Sequence, residues 1–402
     1  MKRAAVILFL CVSNAAAQNG ASALSRFGIG DLDNLATARQ RGMGYVAAPL
    51  TSTFDISVVN PAAWSSIDRL RLGGNLSYEY ESSSRGSDLS AGSLGFKSLH
   101  LAVPLEEGWK SRLVLGFQSL SSVDYRLVAT GNAGGETYRA EYGGHGGLGY
   151  LTMGAGLRPM KSLYIGAAYR WYLGTIDHEG KVTFTNTSTF FHSYQRRSTS
   201  HSGGGWSGGL LWTGLKRLAV GFSVASGAGL RAVRDFTVQY STHDSTLRSE
   251  EGRQDLPLRV QLGMAWQYSD ALLVGFDGAY QDWTNAVVFH SAQPELTSSF
   301  RVGVGVEWHP WKENGKPSMR RMCFRFGAAH QKLAVLLEGN GQKETFVTAG
   351  FGFPVFGESM GDVALEAGVR GAADELLGRR ILLRLSLAVN VGEAWFIRRD
   401  VE

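Results

Sequence analysis

From Arg69 onward the chain alternates apolar and polar residues with a period of two. Leu258, Val260, Leu262, Met264 and Trp266 fall on one face. Arg259, Gln261, Gly263, Ala265 and Gln267 fall on the other. The pattern returns as Phe300, Val302, Val304, Val306 and Trp308, and as Ile381, Leu383, Leu385, Leu387 and Val389. Weaker versions run through 70–80, 163–171, 218–224, 272–280, 322–328 and 363–369. Such alternation predicts strands with one greasy face and one polar or small face. A soluble sandwich would alternate in the same way. Two features favour a transmembrane antiparallel β-barrel, an all-β fold. The runs reach about 9–13 residues, against about 5–6 for an average soluble strand. Aromatic residues (Tyr78, Tyr80, Trp266, Trp308, Trp311) stand at run ends, where a membrane girdle needs them.

About fourteen strands fit between Arg69 and Val391, an even number as single-chain bacterial barrels use. The non-greasy face then points into the lumen and carries Arg259, Arg301, Glu307, Arg325, Glu366 and Arg384. These charges could line a polar channel or pair with one another and with an internal plug. Connections at 267–271 and 354–362 are short; 183–203 and 231–257 are long, polar and expected to be outer loops.

Residues 18–68 differ. Turn residues are dense, periodicity is poor, and one short helix is expected over Ala36–Arg41, ended by Gly42. This segment reads as a compact hatch or plug ahead of a barrel at 69–402. Residues 1–17 read as a signal peptide: Lys2 and Arg3, an apolar run from Ala4 to Val12, and Ala15-Ala16-Ala17 before a cleavage point at Gln18. Its loss lowers the formal charge from +5 to +3, too balanced to suggest a nucleic-acid partner. The 52 glycines and only 9 prolines suit twisted, closely approached strands better than a disordered linker. Cys323 is then the one mature thiol, so no internal disulfide is expected.

Motifs for catalysis are weak. Gly144-His145-Gly146-Gly147-Leu148-Gly149 matches a dinucleotide-loop pattern, but strand-like residues follow it, not a helix. Gly205-Trp206-Ser207-Gly208-Gly209 matches a nucleophile elbow without the strand-to-helix turn that motif needs. The nine histidines show no zinc spacing; His192 and His201 share an expected outer loop, and His309 reads as a turn residue beside Pro310. Asp282-Trp283-Thr284 reads as a strand end at the membrane interface, with substrate stacking as the alternative. No catalysis, cofactor or metal is expected.

Gly42-Met43-Gly44 and Asn60-Pro61-Ala62, followed by strands, resemble the FadL-like (OMPP1/FadL/TodX) family of outer-membrane transport proteins, to which PorV and PorQ barrels are related. The opening 25–32 and the ending Trp395-Phe396-Ile397-Arg398-Arg399 are similar to family members too, although six residues follow Phe396 where many barrels end on an aromatic. The resemblance implies a fourteen-stranded barrel in the bacterial outer membrane. It implies an N-terminal hatch holding Gly42, Met43, Gly44, Asn60, Pro61 and Ala62. It also implies passage of hydrophobic small molecules such as long-chain fatty acids, often released sideways into the lipid. Read from PorV instead, the barrel would be an accessory that binds secretion-system or other outer-membrane proteins.

Overall fold

A computed structural model describes residues 22–83, 86–185, 191–240, 243–289, 295–313, 315–316, 319–337, 339–371 and 378–393. The expected cleavage site and the motif 395–399 lie outside these residues.

One short strand, β1 (Asp31–Leu32), precedes the wall. The wall strands are β2 (Leu70–Ser83), β3 (Gly86–Glu106), β4 (Ser111–Ser119), β5 (Ser121–Ala133), β6 (Glu136–Met160), β7 (Leu163–Phe184), β8 (Ser193–Leu215), β9 (Leu218–Ala225), β10 (Ala228–Tyr240), β11 (His243–Leu256), β12 (Arg259–Ser269), β13 (Leu272–Asp282), β14 (Ser298–Trp308), β15 (Cys323–Leu337), β16 (Asn340–Pro354), β17 (Met360–Arg370) and β18 (Arg380–Glu393). Antiparallel pairing runs round the wall and closes where β18 meets β2, from Arg380↔Ser83 to Glu393↔Leu70. Three passes are each broken in two: at Leu120, at Ser226-Gly227 and at Pro257-Leu258. Counted as passes, the wall is a closed fourteen-stranded barrel.

The alternating pattern is realised as membrane-facing and interior faces. Leu262, Met264, Trp266, Phe276, Val304, Leu365, Leu383 and Leu385 are exposed on the outside, while their chain neighbours turn inward. An apolar outer band is what hydrocarbon selects. The connections at 267–271 and 354–362 are short, as the spacing predicts. The two expected long loops are instead mostly strand: β7 runs to Phe184 and β8 starts at Ser193, while β10 and β11 form a hairpin over most of 231–257. Their polarity misled because these strand ends carry charge on their outer face, with Arg231, Glu251 and Arg253 about two-thirds exposed. A polar strand beyond the lipid looks like a loop when read by hydropathy.

The three breaks fall at one level. Leu120 donates to the Leu148 carbonyl of β6, and β6 at Leu148 pairs with Gly174 of β7. Gly174 in turn pairs with His201 of β8. Gly146 sits in β6 at that level with φ +109, a conformation open mainly to glycine. Pro257 has no N–H and ends its own ladder. The GxGxxG motif is thus the bend of β6 within strand, and the GxSxG motif lies inside β8.

Below the breaks the ring is complete: β3 pairs with β4, β4 with β6, β8 with β9, β9 with β12 and β12 with β13. Above them, among the described residues, β5 forms a ladder with β6 but none with β3, and β11 forms one with β10 but none with β13. The outer half of the wall therefore has two slits, one between β3 and β5 and one between β11 and β13.

Residues 22–68 pack inside. Helix α1 (Ala38–Gly42) starts on a capping box: Thr37 N donates to Gln40 Oε1 at 3.0 Å. It lies against β16 and β17, and a 3₁₀ turn at Pro61–Ser66 lies against β6 and β7. Wall glycines make this possible. A Cβ on Gly303 or Gly305 would collide with the backbone carbonyls of Gly44 and Met43.

A Gly303→Val, Gly305→Val double variant should keep its barrel yet lose the docked segment. Limited proteolysis should cut within residues 22–68 while the wall stays intact; equal protection in variant and parent would contradict this packing.

Candidate functional site

The interior is organised by arginines. Arg39, near the short-turn end, forks onto Glu307 of β14, with Nε–Oε2 at 2.8 Å and Nη2–Oε1 at 2.9 Å. Arg325 of β15 binds the same carboxylate at 2.7 Å and Asp362 of β17 at 2.6 Å. Arg41 of α1 binds Asp33 at 2.7 Å and Glu366 of β17 at 3.1 Å, and the Tyr45 hydroxyl donates to the second Glu366 oxygen. Arg384 forks onto Glu79, at 2.6 and 3.2 Å. Arg370 gathers Asp31, Glu81 and Glu344. Almost every pair joins different strands or joins residues 22–68 to the wall. Charges taken out of water need such partners.

The sequence-derived interior residues therefore divide. Glu307, Arg325, Glu366 and Arg384 belong to the ion-pair lattice. Arg259 and Arg301 have no carboxylate within ion-pair distance among the described residues. Arg301 donates to Asn34 Oδ1 at 3.0 Å and stacks on Tyr45 at 4.9 Å.

The N-terminal motif residues sit at contact points. Gly44 N donates to Thr348 Oγ1, which donates in turn to the Gly42 carbonyl, each at 3.1 Å. Met43 is fully buried with Val46 and Leu50. Asn60 caps the 3₁₀ turn by accepting from Ala62 N at 3.0 Å. Its Nδ2 donates to the carbonyls of Ala48 at 2.7 Å and of Leu210, on β8, at 3.1 Å. Pro61 is the first residue of that turn, where its fixed φ suits it. Sequence reading missed Asp277 of β13, whose Oδ2 accepts from Ala47 N and Ala48 N at 3.1 and 2.8 Å. Its signal was a lone acid on an interior face.

Two placements differ from expectation. Trp283 is 3% exposed and faces inward, so it is no girdle residue. His201 lies in β8, buried, not in a loop with His192. Both follow from the outer strands extending past the lipid.

Glu307, His309 and Cys323 bring a carboxylate, an imidazole and a thiol within 4.8 Å of one another. Both Glu307 oxygens are already held by guanidinium groups, which would repel an added cation.

At the slits the N-terminal segment meets the wall. β1 pairs with β5, Asp31↔Ser122 and Leu32↔Ser121, and Asp33 N donates to the Leu120 carbonyl at 2.8 Å. Lys97 of β3 binds Asp33 at 2.9 Å, so Asp33 bridges both lips of the first slit. Behind it lies a polar cavity of about 210 Å³ lined by Ser77, Ser93, Glu79 and Arg370. The second slit is crossed by the chain after β13, where Asp255 N donates to the Val287 carbonyl at 2.8 Å. Between the slits lies an apolar cluster of Leu35, Leu148, Tyr172, Leu230, Leu256 and Trp283, with Leu32 and Leu120 against it. A second cavity of about 90 Å³ adjoins this cluster and touches all three strand breaks.

Asp55, in the N-terminal segment, accepts from Thr37 Oγ1 at 2.8 Å. Burial pushes its carboxyl up to about 6, and Arg39 offsets this only in part. A raised folded pKa means the native state holds a proton that the unfolded state has released above about pH 4. This group's contribution is therefore full below pH 4 and is lost as pH rises through 6. Urea unfolding should show Asp55→Asn gaining on the parent between pH 5 and pH 7.5; a constant difference would contradict it. Breaking the lattice should cost more. Glu307→Gln leaves Arg39 without a carboxylate and Arg325 with Asp362 alone, and should lose about 3 kcal/mol in the same measurement.

Known proteins share this architecture. The CymD monoaromatic hydrocarbon channel is 13% identical, with 92% of this chain and 99% of that chain covered and a TM-score of 0.60. A Pseudomonas aeruginosa FadL homologue is 12% identical, covering 90% and 99%, with a TM-score of 0.64. The P. putida toluene transporter TodX is 13% identical, covering 90% and 100%, with a TM-score of 0.58. At these identities the likeness concerns the fold. No curated protein matches the sequence. A family model described as BamG matches residues 1–402.

Proposed function

The chain belongs to the BamG family, and we propose that it is an outer-membrane barrel that passes hydrophobic small molecules sideways through its wall. Residues 22–68 act as the hatch, with Gly42, Met43, Gly44 and Asn60, Pro61, Ala62 as its seating points. One observation carries the reading. The wall is open between β3 and β5, the two-residue strand Asp31-Leu32 covers the opening, and Leu32 and Leu120 at its edge pack on the apolar cluster that lies beside the polar cavity behind it. To open it, a ligand must displace the two-residue ladder, the Asp33 bonds to Lys97 and Leu120, and the Asp31–Arg370 and Asp33–Arg41 pairs, while the Glu307, Asp362 and Glu79 pairs stay in place. The hydrocarbon channels of the same fold point to apolar cargo. Long-chain fatty acids and monoaromatic hydrocarbons are the first compounds to try.

A second reading has its own support. Above the breaks the outer face is charged, with Arg126–Glu141 and Arg231–Glu251 pairs exposed to water. Such a crown suits a protein partner, including secretion-system or other outer-membrane proteins.

The hatch can be locked. Leu32 and Ser121 are directly paired, and paired strand residues lie close enough for a disulfide. In a Cys323→Ser background, Leu32→Cys with Ser121→Cys should block cellular uptake of labelled palmitate or toluene when oxidised and restore it on reduction. Uptake unaffected by the cross-link would end the lateral-passage reading. Partner capture that survives the cross-link would favour the second.

A further inference from the structure

The cavity of about 90 Å³ at the strand breaks has a charge that its walls do not balance. It is lined by Arg170 of β7, Arg259 of β12 and Arg301 of β14, with Lys332 of β15 beside them. Among the described residues, no carboxylate lies within ion-pair distance of these three arginines. Arg259 is half-buried and Arg170 and Arg301 are buried, and each of the remaining buried arginines described (Arg41, Arg71, Arg112, Arg325, Arg370, Arg380 and Arg384) has one. The acids nearby are spent. Asp33, on the cavity wall, serves Arg41 and Lys97. Asp277 serves Gln261 and the backbone of Ala47 and Ala48.

The donors also point to a missing acceptor. Arg170 Nε, Arg301 Nη2 and Trp283 Nε1 are buried without a hydrogen-bond partner, in side chains 6%, 5% and 3% exposed. Each residue lines this cavity. Buried donors are normally satisfied. Buried cations without an anion are costly. The rest of the lining mixes apolar residues (Leu32, Leu35, Leu120, Tyr172 and Leu256) with neutral polar ones such as Asn34, Ser226, Gln281 and Gln331.

We propose that this cavity binds a phosphate-class oxyanion, free or as the head of a lipid. The volume admits several waters or one tetrahedral anion. Guanidinium groups match phosphate oxygens in pairs, and a monoester carries about −1.5 to −2 charge at pH 7. The cations approach from four different strands. A tetrahedral dianion meets donors from several directions, whereas a planar carboxylate offers one plane and one charge. Bound in the cavity, the anion would tie β7, β12 and β14 across the break level. This does not depend on passage of any cargo: phosphate binding by a protein that transports nothing would leave it standing.

The test uses the full chain purified in phosphate-free zwitterionic detergent, titrated with inorganic phosphate, dodecyl phosphate and laurate by calorimetry. Saturable binding of inorganic phosphate at one site is expected if the anion is free. Binding of dodecyl phosphate at least tenfold tighter marks a lipid headgroup; either supports the site. Arg301→Gln and the more conservative Arg259→Lys should each weaken phosphate binding tenfold or more, while Arg126→Gln on the outer face should not. The Arg259→Lys variant keeps the charge and guards against simple misfolding. No saturable phosphate binding, laurate binding as tightly as dodecyl phosphate, or affinity unchanged in both site variants would overturn the proposal.

Discussion

In hydrocarbon no backbone N–H or C=O can be left unpaired, so a spanning sheet must close on itself. That constraint sets the rest of this molecule. The ring is complete below the breaks, where β3–β4–β6 and β8–β9–β12–β13 carry the ladder. The wall comes apart above the breaks, where Leu94 and Phe96 still stand exposed on the β3 lip. There the free edge of β5 is met by β1 and by Asp33 N, which donates to the Leu120 carbonyl.

Closure also leaves an interior to fill. Fourteen passes enclose more space than wall side chains occupy, and residues 22–68 take it up. Wall glycines let backbone meet backbone, and polar contacts hold the contact in register. The arginine–carboxylate lattice follows from burial: inside, a charge is tolerable only when paired. Arg39, Arg41 and Asp33 supply the segment's half of those pairs, and Glu307, Glu366 and Lys97 supply the wall's. At the edge, Asp31-Leu32 is held by a two-residue ladder to β5 and by the pairs of Asp31 with Arg370 and of Asp33 with Arg41 and Lys97.

Much of this was legible in the sequence. Period-two alternation located the strands of the lipid zone because one solvent there is hydrocarbon, so Leu262 or Leu385 cannot be polar. The pass number could be read in the same way, whereas the short helix was expected over Ala36–Arg41 from helix-end signals and forms at Ala38–Gly42, with Gly42 inside it. Above the lipid both faces meet water or polar interior, and the period loses its meaning; the β10–β11 hairpin therefore read as a loop, and Trp283 as a girdle residue. Arg301, Arg325 and Arg384 could be assigned to the interior face by parity, but not their partners. Which arginine finds a carboxylate depends on register between strands far apart in sequence, as with Arg384 and Glu79, 305 residues apart. Nothing local distinguishes the paired Arg325 from the unpaired Arg301.

The central claim is that β1, paired with β5, covers the opening between β3 and β5. Hydrogen exchange of the full chain in lipid nanodiscs, followed peptide by peptide, tests it most directly. Residues 31–33 and 120–124 should be protected and should exchange together, faster than the closed ladders of β13–β18. Residues 31–33 exchanging like free chain while 120–124 stay protected would contradict the account.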